Sequence, residues 1–284
     1  MKAFAYFTPR GSEEAVGLLR QHGPDAQVIA GGQSLLLAMK DRSARPPVLI
    51  SLAGVPELSV IRSEGDELVV GATTTYAQLS RANLPGWHAE IAAIAGNLAD
   101  RPVRTMGTIG GALCAADPRF DMLTLVTGVG ARLDILSSDG GRVVDAAAFL
   151  AGDSGLEPGE ILTAIRFPAV VTFDVVVFEK FRLRTFDAAL ASVLCAVRTD
   201  PEGRLADLRL TVGAATPVPV VAAQACAASL GGLAADVDID DIAARVVDES
   251  LGGRGNAPAV QYSRELVFAL TRRALTRALK TPRS

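Results

Sequence analysis

Two glycine pairs interrupt apolar segments of this sequence, and they constrain its fold more than any other feature. One pair is Gly31 and Gly32 in VIAGGQSLLL, and the other is Gly110 and Gly111 in TMGTIGGALCAADP. Glycine reaches positive φ and has no Cβ, so at a strand-to-helix junction it leaves backbone N–H groups open to an anion. Either pair alone is more typical of a tight turn. Together, with a hydroxyl in each loop, they predict a diphosphate held between two backbone cradles.

The remaining hydrophobic pattern predicts an α+β chain in three segments. Residues 1–54 hold a helix with Ser12 as its N-cap, two short buried strands, and a second helix after the first glycine pair. Residues 55–171 hold two hairpins with short helices between them. Residues 174–284 begin with three long strand-like runs and end in helices. We therefore expect two small lobes followed by a domain made of a β-sheet and helices.

Composition excludes several classes of protein. The 284 residues carry a formal net charge of -3, which gives no electrostatic reason to expect a nucleic-acid partner. No apolar run approaches the length of a membrane span. The three cysteines lie far apart, so we expect no zinc site and no iron–sulfur cluster from this chain alone, and a reduced, cytoplasmic chain. His22 and His88 lie beside predicted helix ends, where we expect surface or capping residues rather than metal ligands or a catalytic dyad.

Both glycine motifs resemble a known family. AGGQSLLLAMK and TIGGALCAADP are similar to the two conserved loops of the FAD-binding subunit of the molybdenum hydroxylases, which include the medium subunit of aerobic carbon monoxide dehydrogenase and the FAD domain of xanthine dehydrogenase. RPVRTMG resembles the family's approach to the second loop, and FEKFRLRTFDAALASV resembles the start of its C-terminal domain. The resemblance implies a two-lobed FAD-binding domain of the vanillyl-alcohol-oxidase-like type, followed by the family's C-terminal domain.

The resemblance also implies a set of FAD contacts. Residues 30–34 would wrap the pyrophosphate through backbone N–H groups, and the second loop would hold it from the other side. We expect valine at Gly32 or Gly110 to block FAD while leaving the fold largely intact. The residues expected to contact the cofactor are Ala30, Gly31, Gly32, Gln33, Ser34, Leu35, Leu98, Thr108, Ile109, Gly110, Gly111, Asp117, Asp121, Leu162 and Lys180.

Several of these residues also have an ordinary structural interpretation. On the resemblance, Asp121 contacts the sugar portion of the flavin and Lys180 lies beside the isoalloxazine ring. The alternative for both of them, and for Asp117, is a solvated or salt-bridged charge. Ile161 or Leu162 would line the adenine or ring environment and Leu98 would pack near the cofactor, but all three residue types are also ordinary in a protein core. The segment from Ala112 to Asp121 departs from the family pattern, which leaves the details of the flavin environment open.

The function implied by the resemblance is that of an oxidoreductase subunit. FAD would receive electrons from iron–sulfur clusters in a small partner subunit and pass them to an external acceptor. A large molybdopterin subunit would hydroxylate the substrate, and the three chains would form a heterohexamer. Two alternatives stay open: a stand-alone FAD-dependent oxidoreductase on the same fold, and a scaffold subunit that has lost flavin. Neither the substrate nor the acceptor can be read from the sequence.

Overall fold

The computed structural model describes residues 3–153, 155–255 and 257–280. The helices, in chain order, are α1 (Ser12–His22), α2 (Leu35–Lys40), α3 (Tyr76–Leu79), α4 (Ala89–Gly96), α5 (Arg101–Met106), α6 (Ile109–Ala115), α7 (Asp121–Val129), α8 (Ala146–Ala151), α9 (Ala223–Ala227), α10 (Ile239–Leu251) and α11 (Pro258–Lys280). The strands are β1 (Ala5–Phe7), β2 (Ala26–Ile29), β3 (Val48–Ser51), β4 (Ile61–Glu64), β5 (Glu67–Gly71), β6 (Arg132–Ser137), β7 (Gly140–Asp145), β8 (Ile161–Phe167), β9 (Val175–Phe181), β10 (Ala191–Thr199), β11 (Leu205–Gly213) and β12 (Val220–Val221).

The chain forms two compact units, and each of them is discontinuous in sequence. The ranges of unit 1 are 1–82, 100–116 and 131–167, and those of unit 2 are 83–99, 117–130 and 168–284. The outermost residues of these ranges, 1–2 and 281–284, lie outside the described residues. Within the described part of the chain, no helix is long and apolar enough to cross a bilayer.

Unit 1 contains a small parallel sheet in the order β1-β3-β2. Its central strand, β3, is buried at every position, as expected for a strand with neighbours on both sides and helices against it. Helix α1 packs its buried face, Ala15, Val16 and Leu19, onto this sheet. Its N-cap is Gly11 rather than the predicted Ser12, and Gly23 ends it with a φ of 55°. The predicted helix end at Gly23 is therefore confirmed, and the start was misplaced by one residue.

The second sheet of unit 1 is antiparallel, in the order β4-β5-β8-β6-β7. Both predicted hairpins are present in it: β4 pairs with β5, and β6 pairs with β7. The central strand β8 joins the two hairpins by pairing with β5 and β6. Helix α6, which carries the second glycine pair, packs against β8. The sheet thus supports the segment in which the second candidate loop lies.

Unit 2 is built on an antiparallel sheet in the order β12-β11-β10-β9. Its three long strands correspond to the three strand-like runs predicted after residue 174. Helices α9, α10 and α11 bury one face of the sheet in a large apolar cluster. Helix α7 packs against β10 and β11, and all nine of its residues are buried. Helix α4 packs against β9.

The units of the structure group the chain differently from the three continuous segments predicted. The segments 83–99 and 117–130 belong with the C-terminal sheet, although their place in the sequence puts them inside the predicted second lobe. For the second of these segments, the reason is the packing of α7 on the C-terminal sheet, where all nine of its residues are buried. Gly128 lies so close to β11 that a Cβ there would be 2.9 Å from the Thr211 Oγ1 atom, so glycine at this position allows the close approach.

Candidate functional site

The first glycine loop of unit 1 lies between β2 and α2. Strand β2 ends at Ile29 and α2 begins at Leu35, and Ser34 is the N-cap residue with no side-chain capping bond. The backbone N–H groups of Gly31, Gly32, Gln33 and Ser34 donate to no acceptor among the described residues. Successive unpaired N–H groups in a turn form a concave site for an anion. This loop therefore fits the pyrophosphate of FAD.

The two glycines of this loop are required for different reasons. A Cβ on Gly31 would lie 1.8 Å from the carbonyl oxygen of Met106, so only glycine permits this approach of two backbones within unit 1. Gly32 has a φ of 71°, which L-residues rarely adopt, and its Cβ would meet only the end of the Leu36 side chain, at 2.9 Å. Gly31 thus joins two segments of the fold, whereas Gly32 shapes the turn.

The second glycine loop of unit 1 uses its donors internally. The N–H of Ile109 donates to Thr74 O at 3.1 Å, and that of Gly110 donates to Ala72 O at 2.9 Å. The N–H of Gly111 donates to Thr108 Oγ1 at 3.1 Å, which makes Thr108 the N-cap of α6. The prediction of a second exposed amide cradle is therefore wrong for these three N–H groups. Among the described residues, the unpaired donors of this loop are the N–H and the hydroxyl hydrogen of Thr108.

Gly110 is a packing residue in this structure. A Cβ there would lie 2.6 Å from both the Cβ and the carbonyl oxygen of Ala72. The expectation that valine at Gly110 leaves the fold intact is therefore wrong, because the added side chain meets the protein's own backbone. The assignment of residues 108–111 to the cofactor stays a prediction.

Two predicted site residues of unit 2 form a buried ion pair. Asp121 opens α7, where the positive end of the helix macrodipole favours a carboxylate. The Lys180 Nζ atom donates to Asp121 Oδ2 and, at 3.1 Å, to the carbonyl oxygen of Asn97. Only 8% of the Lys180 side chain and 2% of the Asp121 side chain are exposed. The structural alternative for both residues, a salt-bridged charge, is thus present in the fold.

The ion pair leaves one carboxylate oxygen unused. Asp121 Oδ1 is buried and has no hydrogen-bond partner among the described residues. Burial raises the pKa of Asp121, and the Lys180 ammonium and the Arg182 guanidinium act in the opposite direction. A buried acceptor without a donor is costly, so a hydroxyl that reached it would be bound favourably. The acceptor therefore fits the sugar hydroxyls of a flavin nucleotide.

The other predicted site residues have structural surroundings of their own. Asp117 is paired with Arg119, with 2.6 Å between its Oδ2 atom and Nη2. Ile161 and Leu162 are 1% and 4% exposed in β8, and Ile161 belongs to an apolar cluster with the buried face of α1. Leu98 lies in the connection after α4 and is partly buried, as is Leu35 at the start of α2. Their assignment to the cofactor stays a prediction.

Sequence reasoning missed two residues and misplaced a third. Asn97 and Arg182 complete the polar cluster around Lys180 in unit 2. The available signal for Arg182 was its spacing of two residues from Lys180, because residues i and i+2 of a strand lie on the same face.

His88 is 3% exposed rather than at the surface, and its Nε2–H donates to Pro168 O at 2.8 Å. Burial lowers the pKa of His88.

Metal-ligating groups do not cluster in the described part of the chain. No group of three or more His, Cys, Asp or Glu residues among the described residues could hold a metal ion. Cys114, Cys195 and Cys226 are all free thiols.

Comparisons with known proteins give a consistent result. The model of the family described as FAD binding domain in molybdopterin dehydrogenase matches residues 2–170. The carbon monoxide dehydrogenase medium chain of Afipia carboxidovorans is 34% identical over 97% of this chain and 96% of its own length. A solved structure of carbon monoxide dehydrogenase from Hydrogenophaga pseudoflava, which lacks the Mo-pyranopterin moiety of its molybdenum cofactor, matches with a TM-score of 0.86 and 31% identity over 98% of this chain and 97% of that chain. Quinoline 2-oxidoreductase from Pseudomonas putida 86 matches with a TM-score of 0.86 and 29% identity over 99% of both chains.

Proposed function

Because the chain belongs to the family of FAD-binding domains in molybdopterin dehydrogenases, we propose that it is the medium, flavin-carrying subunit of a molybdenum hydroxylase. When bound, FAD would supply the redox chemistry by which such a subunit passes electrons from the iron–sulfur clusters of a small partner subunit to an external acceptor. Substrate would be hydroxylated at the molybdopterin centre of a large partner subunit. The three chains would assemble as a heterohexamer.

The observation that carries this proposal is the full-length match to a medium chain, at 34% identity over 97% of the chain. Two features, one in each unit, support it independently. Four unpaired N–H groups, those of residues 31–34, suit a diphosphate, and Asp121 Oδ1 suits a hydroxyl. A flavin nucleotide that contains both groups is FAD.

The chain's own residues bind and orient the cofactor in this proposal. The N–H groups of residues 31–34 hold the pyrophosphate, and the Thr108 hydroxyl adds one further donor. Asp121 accepts a hydrogen bond from a sugar hydroxyl, and Lys180 neutralises that carboxylate. No residue of the chain has to act as a general acid or base, because the electrons pass through the cofactor.

The substrate belongs to the large subunit in this scheme. The matched proteins are named for carbon monoxide and for quinoline, and both solved structures match this chain with a TM-score of 0.86. The medium chain therefore does not determine which substrate is hydroxylated. As part of the same proposal we place the chain in the cytoplasm, because its three cysteines are free thiols.

Co-expression with a small iron–sulfur subunit and a large molybdopterin subunit from the same organism tests the proposal. We expect a stable complex that contains flavin, iron and molybdenum, and we expect chromatography after heat release to identify the flavin as FAD. A complex without flavin would support the scaffold alternative. FMN in place of FAD would contradict the diphosphate site.

A second experiment separates the subunit from a stand-alone oxidoreductase. The FAD-loaded chain is mixed anaerobically with purines, aldehydes, N-heterocycles and carbon monoxide, and its flavin absorbance is followed. We expect no bleaching until the iron–sulfur and molybdenum subunits are added. Rapid bleaching by an organic substrate without other proteins would favour the stand-alone enzyme.

A further inference from the structure

Arg182 holds Asn97 with both arms of its guanidinium group. Nη1 donates to the carbonyl oxygen of Asn97 at 3.1 Å, and Nη2 donates to its side-chain Oδ1 atom at 2.9 Å. Asn97 directly follows α4, where carbonyl oxygens lack intrahelical donors and the macrodipole is negative. A planar cation with two parallel donors fits this position better than a point charge does.

The Asn97 carbonyl oxygen is shared by two cations. Besides Arg182, it accepts a hydrogen bond from Lys180 Nζ at 3.1 Å. Lys180 lies in β9 and Arg182 directly follows the last residue of that strand, Phe181, and both side chains donate to the same carbonyl oxygen. Because Arg182 fixes the Asn97 carbonyl, it also fixes one of the two groups that orient the Lys180 ammonium.

The other group that orients Lys180 is Asp121. The ammonium donates to Oδ2 of this carboxylate, and Oδ1 is buried with no hydrogen-bond partner in the described part of the chain. The two oxygens of the carboxylate therefore differ: Oδ2 accepts a hydrogen bond from Lys180, and Oδ1 has no donor among the described residues. This division depends on Lys180 staying where Asn97 and Arg182 hold it.

We infer that Arg182 is a positioning residue for the cofactor, which holds the Asn97 carbonyl so that Lys180 stays on Asp121 Oδ2 and Oδ1 is left for a hydroxyl of FAD. The inference rests on the proposed function, since it takes FAD as the ligand. Arg182 itself contacts Asn97, and its effect on FAD passes through Lys180 and Asp121.

Arg184 provides a matched control for Arg182. It lies two residues further along the same segment, it is exposed, and its side chain makes no hydrogen bond or ion pair with any described residue. Arg182→Ala and Arg184→Ala each remove one positive charge from the same segment. A difference in FAD affinity between them is therefore due to the contacts of Arg182 rather than to its charge. Arg182→Lys keeps the charge but loses the two-armed contact.

The experiment measures the Kd of FAD on the intact complex after its flavin has been removed. We expect Arg182→Ala to raise the Kd roughly tenfold, the effect of losing a hydrogen bond to a charged group. Arg184→Ala should bind like wild type, and Arg182→Lys should resemble Arg182→Ala. In an Asp121→Asn background, Arg182→Ala should change the Kd by less than about twofold, because the group through which it acts has been altered.

Three results would overturn the inference. In the first, Arg182→Ala binds FAD like wild type. In the second, Arg182→Ala raises the Kd by the same factor with and without Asp121→Asn, which would show that Arg182 acts independently of Asp121. In the third, Asp121→Asn alone leaves the Kd unchanged. That result would show that Asp121 does not contribute to FAD binding, and it would not contradict the proposed function. Failure of the proposed function looks different, because the wild-type complex would then bind no FAD.

Discussion

Alanine in place of Gly31 should destabilise unit 1 before any ligand is considered. The Cβ of this alanine would lie 1.8 Å from the carbonyl oxygen and 2.7 Å from the carbonyl carbon of Met106, and 3.1 Å from the Cα of Gly107. All three atoms belong to the backbone, so no side-chain rotation can relieve the contact. Ordinary van der Waals contact begins near 3.4 Å, so the two segments must separate by roughly 1.5 Å.

The magnitude follows from this forced separation. Adding atoms to a well-packed region usually costs about 1–3 kcal/mol, and more when backbone must move. For Gly31→Ala we expect the upper end, about 3 kcal/mol of unfolding free energy, or a Tm lower by about 6–12 °C. Gly32→Ala should cost about 1–2 kcal/mol, because a φ of 71° is strained for alanine but its Cβ meets only the flexible end of Leu36.

Urea unfolding of the apo protein, followed by circular dichroism, measures these differences. Gly17→Ala is the control, because a Cβ at this position in α1 would meet no heavy atom within 4 Å among the described residues, apart from its chain neighbours and the backbone of its own helix. Alanine there should stabilise the protein by about 0.5–1 kcal/mol through its higher helix propensity. A Gly31→Ala protein that unfolds at the wild-type midpoint would refute the reasoning. In that case the backbone contact with Met106 would not contribute to stability.

Three further predictions concern single side chains. Burial lowers the pKa of His88 from its usual 6.5, so the unfolded state binds this proton more readily and wild type should lose unfolding free energy as the pH falls below about 6.5. The measurement is urea unfolding at about pH 7.5 and 5.5. Between these two pH values, the unfolding free energy of His88→Gln should fall by less than that of wild type or of the control His22→Gln. An equal fall in His88→Gln and wild type would show that the protonation of His88 does not destabilise the folded state. Thr108→Ala removes the cap of α6 and should cost about 1 kcal/mol in the same assay, while Thr108→Ser should not. Lys180→Met leaves the buried Asp121 carboxylate unpaired and should cost about 3–5 kcal/mol at neutral pH, much of which Asp121→Asn should restore; a wild-type midpoint for Lys180→Met would show that the pair is not needed.

The sequence predicted the local elements well because their signals are local. The alternation of apolar and polar residues around short turns identified both hairpins of unit 1, and glycine marked the end of α1 at Gly23. The membership of α7 in unit 2 has no local signal. It depends on small residues that meet across long sequence distances, such as Thr124 and Ser192, whose hydroxyl oxygens lie 3.0 Å apart.

The candidate site shows the same division between local and distant signals. The first glycine loop was predicted from its own residues, and its unpaired N–H groups agree with that reasoning. The second loop looked equivalent in sequence, yet the N–H groups of Ile109 and Gly110 donate to the carbonyl oxygens of Thr74 and Ala72, which no motif could indicate. The burial of His88 was missed for the same reason, because its partner Pro168 lies 80 residues away.

The discontinuous ranges of the two units mean that a segment matched by a family model need not fold alone. The family match ends at residue 170, yet that segment includes α7, whose nine residues are all buried and whose packing partners β10 and β11 come later in the chain. A fragment cut at this boundary would present an apolar helix to water, and we expect it to aggregate. A chimera of two relatives joined at this boundary would have the same problem, because α7 of one relative would have to pack against β10 and β11 of the other. The end of the family match at residue 170 thus does not coincide with the boundary of a folding unit.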